Sequence, residues 1–137
     1  MSETAQQIIA EATEAGDRLH DLDRALQQEM DEIFTNAVLA DREMTEAEKA
    51  RRKEIRAEQT EIADTMRVLK FVTLARLNNS STVAGLKAQI DDVTTELADD
   101  LSRLRNVARY AELAAKITAS IARLTGKIAG LVAGPGL

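Results

Sequence analysis

Glycine and proline, the residues that most often interrupt a helix, are almost absent from most of this chain. Gly16 and Gly85 are the only glycines before position 126, and Pro135 is the only proline among 137 residues. Aromatic residues make up 2% of the chain, and aliphatic, alanine and charged residues dominate, which favours helix over strand. We therefore predict an all-α protein built from long helices.

Two polar segments, 41–44 and 78–81, divide the chain into three predicted helices at about 4–40, 45–77 and 82–132. Thr45 and Glu48 match a capping box, in which hydroxyl and carboxylate accept hydrogen bonds from free N–H groups at a helix start. Residues 1–137 are expected to form a single helical domain, with 133–137 as a flexible tail.

Apolar residues recur at steps of three and four along the predicted helices and place one apolar stripe on each. On the first helix the stripe consists of Ile8, Ala12, Ala15, Leu19, Leu22, Leu26, Met30, Ile33 and Ala37. Heptad-like steps continue along the third helix, where Asp100 is the one charge on the seam. The pattern predicts an extended antiparallel three-helix bundle or coiled coil.

The predicted third helix is longer than its neighbours. At 1.5 Å per residue the three helices span about 55, 50 and 75 Å, so a straight third helix outruns the bundle from around Lys116. A bend or a fold-back near Gly126 would remove this overhang. The long C-terminal helix is therefore the predicted interaction element.

One amphipathic segment, residues 113–132, carries the candidate interaction site. Its apolar face and its cations are Leu113, Lys116, Ile117, Ile121, Arg123, Leu124, Lys127, Ile128 and Leu131. We predict a non-enzymatic scaffold protein that forms a homo-oligomer or binds a partner helix through this segment. The alternative is a membrane-surface or pore-type protein that lays the same segment on anionic lipid.

Charge is unevenly distributed in this acidic chain of net charge −5. From Leu101 onward Glu112 is the only acid, against six bases, whereas the first helix is strongly acidic. Two interpretations remain open. The acidic helix pairs with basic faces of the other helices, or the cationic end attracts an acidic partner or an anionic membrane.

The inventory of reactive side chains is poor. The chain has no cysteine, and its sole histidine, His20, is expected on a polar face rather than at a metal. Carboxylate rows such as Glu54, Glu58 and Glu61 are interpreted as solvated faces. We predict no enzymatic activity and no cofactor, and nucleic-acid binding is not expected of so acidic a chain. A cytoplasmic location is expected because no signal peptide or membrane span is evident, although non-classical export stays open.

Overall fold

The computed structural model describes residues 2–74 and 80–133, which form four helices. They are α1 (Ser2–Leu39), α2 (Glu46–Leu74), α3 (Ser80–Leu104) and α4 (Ala111–Ala133). The all-α prediction is confirmed, but four helices replace the three that were predicted. The predicted end of the second helix at 77 and most of the predicted tail 133–137 lie outside the described residues.

Each helix packs on two antiparallel neighbours, so that the four helices surround one core. The packed pairs are α1 with α2, α2 with α3, α3 with α4, and α4 with α1. Ion pairs between the helices show which residues lie side by side. Arg51 of α2 pairs with Glu29 of α1, Arg103 of α3 with Glu54 of α2, and Arg123 of α4 with Glu11 of α1. The chain therefore forms an up-down-up-down helical bundle.

The predicted third helix is interrupted at 105–110, well before Gly126. There the backbone tightens, since the Asn106 and Val107 N–H groups donate to the carbonyls of Arg103 and Leu104 instead of to residues four positions back. The Asn106 side chain donates to the Ser102 carbonyl, a local bond that competes with a regular helix. The chain then reverses and returns as α4, which corrects the prediction of one long C-terminal helix.

Burial of α4 explains why the reversal is stable without glycine or proline. A few lost helical hydrogen bonds cost about 1 kcal/mol each. Each aliphatic side chain that leaves water contributes about 1.5–3 kcal/mol. Five such side chains of α4 are buried in the core: Ile117, Ile121, Leu124, Ile128 and Leu131. Folding back is therefore favoured over a straight, solvated extension.

The α1 stripe is buried along almost its whole predicted length. The buried members are Ile8, Ala12, Ala15, Leu19, Leu22, Leu26, Met30 and Ala37, while Ile33 is half-buried. Asp100, the predicted charge on the seam, is buried in α3. The spacing of apolar residues thus predicted the core face of α1 correctly.

The α1–α2 connection, residues 40–45, combines a helix stop with a helix start. Asp41 has a φ of 50°, and the Arg42 N–H donates to the Ala37 carbonyl over 3.1 Å, which is a Schellman-type end. The predicted capping box is confirmed: Glu48 N–H donates to Thr45 Oγ1 over 3.1 Å, and Thr45 N–H donates to Glu48 Oε1 over 2.8 Å. The hairpin therefore turns at a defined position.

Candidate functional site

The apolar face of α4, predicted as an interaction site, is covered by the chain itself. Ile117, Ile121, Leu124, Ile128 and Leu131 lie in the core, and Leu113 packs against it half-buried. The overhang that singled out this segment is absent, because α4 returns along α1 and α3. An external partner reaches this face only if α4 leaves the bundle.

Two cations of α4 and of the segment before it are paired with acids of α1. Arg123 Nε lies 3.2 Å from Glu11 Oε2, and Arg109 Nη1 lies 2.7 Å from Glu32 Oε2. Lys116 pairs within α4 with Glu112 over 2.8 Å, and Lys127 is half-buried. The interpretation of the acidic first helix as an internal partner of basic residues is therefore confirmed for Arg109 and Arg123.

An overhang does exist, but it is formed by the hairpin of α1 and α2. The Arg109–Glu32 pair marks where the α3–α4 connection meets α1. Beyond Glu32, α1 continues to Leu39, about 10 Å further, before the chain turns back into α2. We call residues 34–49 the α1–α2 tip. The tip projects past the other two helices of the bundle.

The α1–α2 tip exposes large apolar side chains. Phe34 is 56% exposed, Val38 59% and Leu39 79%. Phe34 and Val38 stand one helical turn apart and border the same open hollow of about 390 Å³. The hollow is lined by Phe34, Ala37, Val38, Arg42, Glu43, Met44 and Lys49. Clustered exposed apolar side chains with a polar rim are typical of interaction surfaces.

A buried polar network lies below the tip, where α1, α2 and the α3–α4 connection meet. Tyr110, which is almost fully buried, donates its hydroxyl to Glu29 Oε1 over 2.5 Å. Arg51 donates to both oxygens of Glu29, over 2.7 and 3.0 Å, and to Glu58 Oε1 over 3.1 Å. The Arg51 guanidinium holds the pKa of Glu29 below its usual value, whereas burial raises the pKa of Tyr110.

The interpretation of the Glu54, Glu58 and Glu61 row as a solvated face is wrong for Glu58, which is only 2% exposed. Asp100 lies close to Glu58 across the interface of α2 and α3. Two sequence signals point to polar contacts inside the bundle: Asp100 lies on the apolar stripe of α3, and Glu58 lies at steps of three and four between Ile55 and Ile62.

His20 is exposed on α1. Within residues 2–74 and 80–133, no three His, Cys, Asp or Glu side chains are grouped so as to hold a metal ion. None of the helices in these two ranges is apolar enough over a sufficient length to cross a bilayer. No family model, curated protein or solved structure matches this chain.

Proposed function

We propose that this chain is a non-enzymatic helical interaction protein that self-associates through the α1–α2 tip. The observation that carries the proposal is the exposure of Phe34, Val38 and Leu39 on a projecting hairpin, where Phe34 and Val38 border an open hollow. Removing exposed apolar side chains from water is favourable, and on an extended tip this requires another surface that covers them. The proposal moves the expected contact from the apolar face of α4 to the α1–α2 tip.

A second copy is the occupant that fits the tip best. The rim of the hollow carries both signs of charge, with Arg42 and Lys49 beside Glu43. A two-fold axis places the same patch on both partners. Arg42 pairs with Glu48 over 2.7 Å and Lys49 with Glu46 over 3.5 Å within one chain, so a contact with Glu43 of the other copy adds to these pairs. If both copies bury Phe34, Val38 and Leu39, the apolar area is of the order of 600 Å², which is typical of a weak interface.

Sedimentation velocity over a range of concentrations, from about 5 to 500 µM, tests the proposal. We expect a concentration-dependent monomer–dimer equilibrium that Phe34→Glu weakens at least about ten-fold. Phe71→Glu is the matched control, because Phe71 is 53% exposed on α2 and lies far from the tip. A monomer at every concentration refutes the proposal. So does a dimerisation constant that falls equally in Phe34→Glu and Phe71→Glu.

Binding of a partner helix or of anionic lipid by α4 is the alternative proposal. It is supported by the apolar residues and the cations of segment 113–132, but it requires α4 to leave α1 and α3. That step exposes buried side chains such as Leu124 and breaks the pairs of Arg123 with Glu11 and Glu14. Flotation with anionic vesicles at low and high salt tests the lipid form: binding that salt abolishes favours it, and no binding excludes it.

A further inference from the structure

The interface between α2 and α3, which we call the α2–α3 seam, contains more acids than bases. Glu58 of α2 and Asp100 of α3 are both buried there, and Glu61 is half-buried beside them. α4 packs on α1 and α3, so the charged groups around the seam come from the first three helices and the α3–α4 connection. The acids are Glu29, Glu54, Glu58, Glu61, Glu96 and Asp100, the guanidinium groups are Arg51, Arg103 and Arg109, and Tyr110 contributes a hydroxyl.

The arginines of this group are already engaged. Arg51 bridges Glu29, Glu54 and Glu58, and Arg103 pairs with Glu54 and Asp100. Arg109 is directed to Glu32 of α1. Two guanidinium groups, Arg51 and Arg103, are therefore shared among the six carboxyl groups, which leaves an excess of negative charge when every carboxyl is ionised.

Two carboxyl oxygens in the seam are buried without a donor. Glu58 accepts one hydrogen bond from Arg51 through Oε1, but its Oε2 has no partner, and neither has Oε2 of Glu61. A buried carboxylate oxygen without a donor is destabilising. Glu61 faces Asp100 across the seam, and Glu58 faces Glu54 one turn away on α2, closely enough for a hydrogen bond when one carboxyl of the pair carries a proton. A bound proton supplies the missing donor.

We propose that the α2–α3 seam is a proton-dependent latch, in which a proton shared between Glu61 of α2 and Asp100 of α3 holds the two helices together. A proton on the buried Glu58 removes a further negative charge from the same interface. The geometry supports this because both unpaired oxygens lie on carboxyl groups that have a second carboxyl group as neighbour. Loss of the proton leaves like charges facing each other in a partly desolvated interface, which repel. The seam then loosens, while the arginine pairs that join α1 to α2 and to the α3–α4 connection remain charged.

The pH range in which the latch acts follows from the raised pKa values of Glu58 and Glu61. Burial raises the pKa of Glu58 to about 7, and the contact with Asp100 raises the pKa of Glu61 to about 7. Because the folded chain holds these protons more tightly than the unfolded chain, the stabilisation is complete below a pH of about 4.5. It is lost as the pH rises towards about 7.

Urea denaturation of the full chain at several pH values from about 5 to 8 tests the latch. We expect the folding equilibrium constant to fall about ten-fold or more over this range. Glu61→Gln and Glu58→Gln keep the side-chain shape without the charge, so each should flatten the dependence and exceed the wild type in stability at about pH 8. Asp99→Asn, the control, removes an exposed charge one position from Asp100, so its stability should depend on pH as that of the wild type does.

Proton release on unfolding gives a second measurement that needs no variant. At about pH 6, unfolding of the wild-type chain in unbuffered urea should release protons, since the unfolded carboxyl groups bind them less tightly. Stability that does not fall between about pH 5 and 8 overturns the latch, and so does proton uptake on unfolding. Two Gln variants that both keep the full wild-type dependence also overturn it.

Discussion

A substitution at Leu124 tests whether the C-terminal helix α4 is packed in the core or free in solution. Its side chain is fully buried between α4 and the rest of the bundle, so Leu124→Ala removes three carbon atoms from the core and leaves a cavity. Such substitutions cost about 2–5 kcal/mol, and we expect about 3 kcal/mol here. That is a large fraction of the roughly 5–15 kcal/mol that stabilises a typical domain.

Equilibrium urea unfolding, followed by circular dichroism at 222 nm, measures this loss. With a denaturant slope of about 2 kcal/mol/M, the midpoint should fall by about 1.5 M. Leu39→Ala is the control, because the same change at a side chain that is 79% exposed should cost less than about 0.5 kcal/mol. If Leu124→Ala costs no more than Leu39→Ala, α4 is not packed in the core and our account of the fold is refuted.

Two further substitutions test local features of the bundle by the same unfolding assay. Tyr110→Phe removes the hydroxyl that donates to Glu29 and should cost about 1.5 kcal/mol; a loss below about 0.5 kcal/mol contradicts that hydrogen bond. Asp41→Gly should stabilise the chain by about 0.5 kcal/mol, because glycine adopts the positive φ of this position without steric cost; destabilisation contradicts the helix end described at Asp41.

The sequence was most informative where structure is local. Steps of three and four predicted the buried face of α1, and the pairing of Thr45 with Glu48 predicted the start of α2 to within one residue. These features depend on backbone geometry within a few turns, so a single sequence contains them. The break at 105–110 is different, because no glycine or proline marks it and its stability comes from the burial of α4 against a helix about a hundred residues away.

The same limit applies to the candidate surfaces. The apolar face of α4 lacks a partner only in a chain whose third helix is straight. Once α4 folds back, the projecting element is the α1–α2 tip. The sequence does not distinguish its exposed Phe34 from an apolar residue of the core. Glu58 differs, because its spacing does contain a signal: it lies three residues after Ile55 and four before Ile62, on the buried stripe of α2. The charge of a glutamate nevertheless favours a solvated position, and only the contact of α2 with α3 shows where this stripe is buried.

The most direct test of tip-to-tip association is an intermolecular distance, and the absence of natural cysteine permits single spin labels. One label replaces Ala40 in the tip, and a matched one replaces Ala63, an exposed residue about 25 Å along α2 from its start. At a concentration of about 500 µM we predict electron–electron distances within about 25 Å for Ala40→Cys and beyond about 50 Å for Ala63→Cys. Absence of intermolecular coupling at Ala40→Cys, or a shorter distance at Ala63→Cys, would contradict association through the tip.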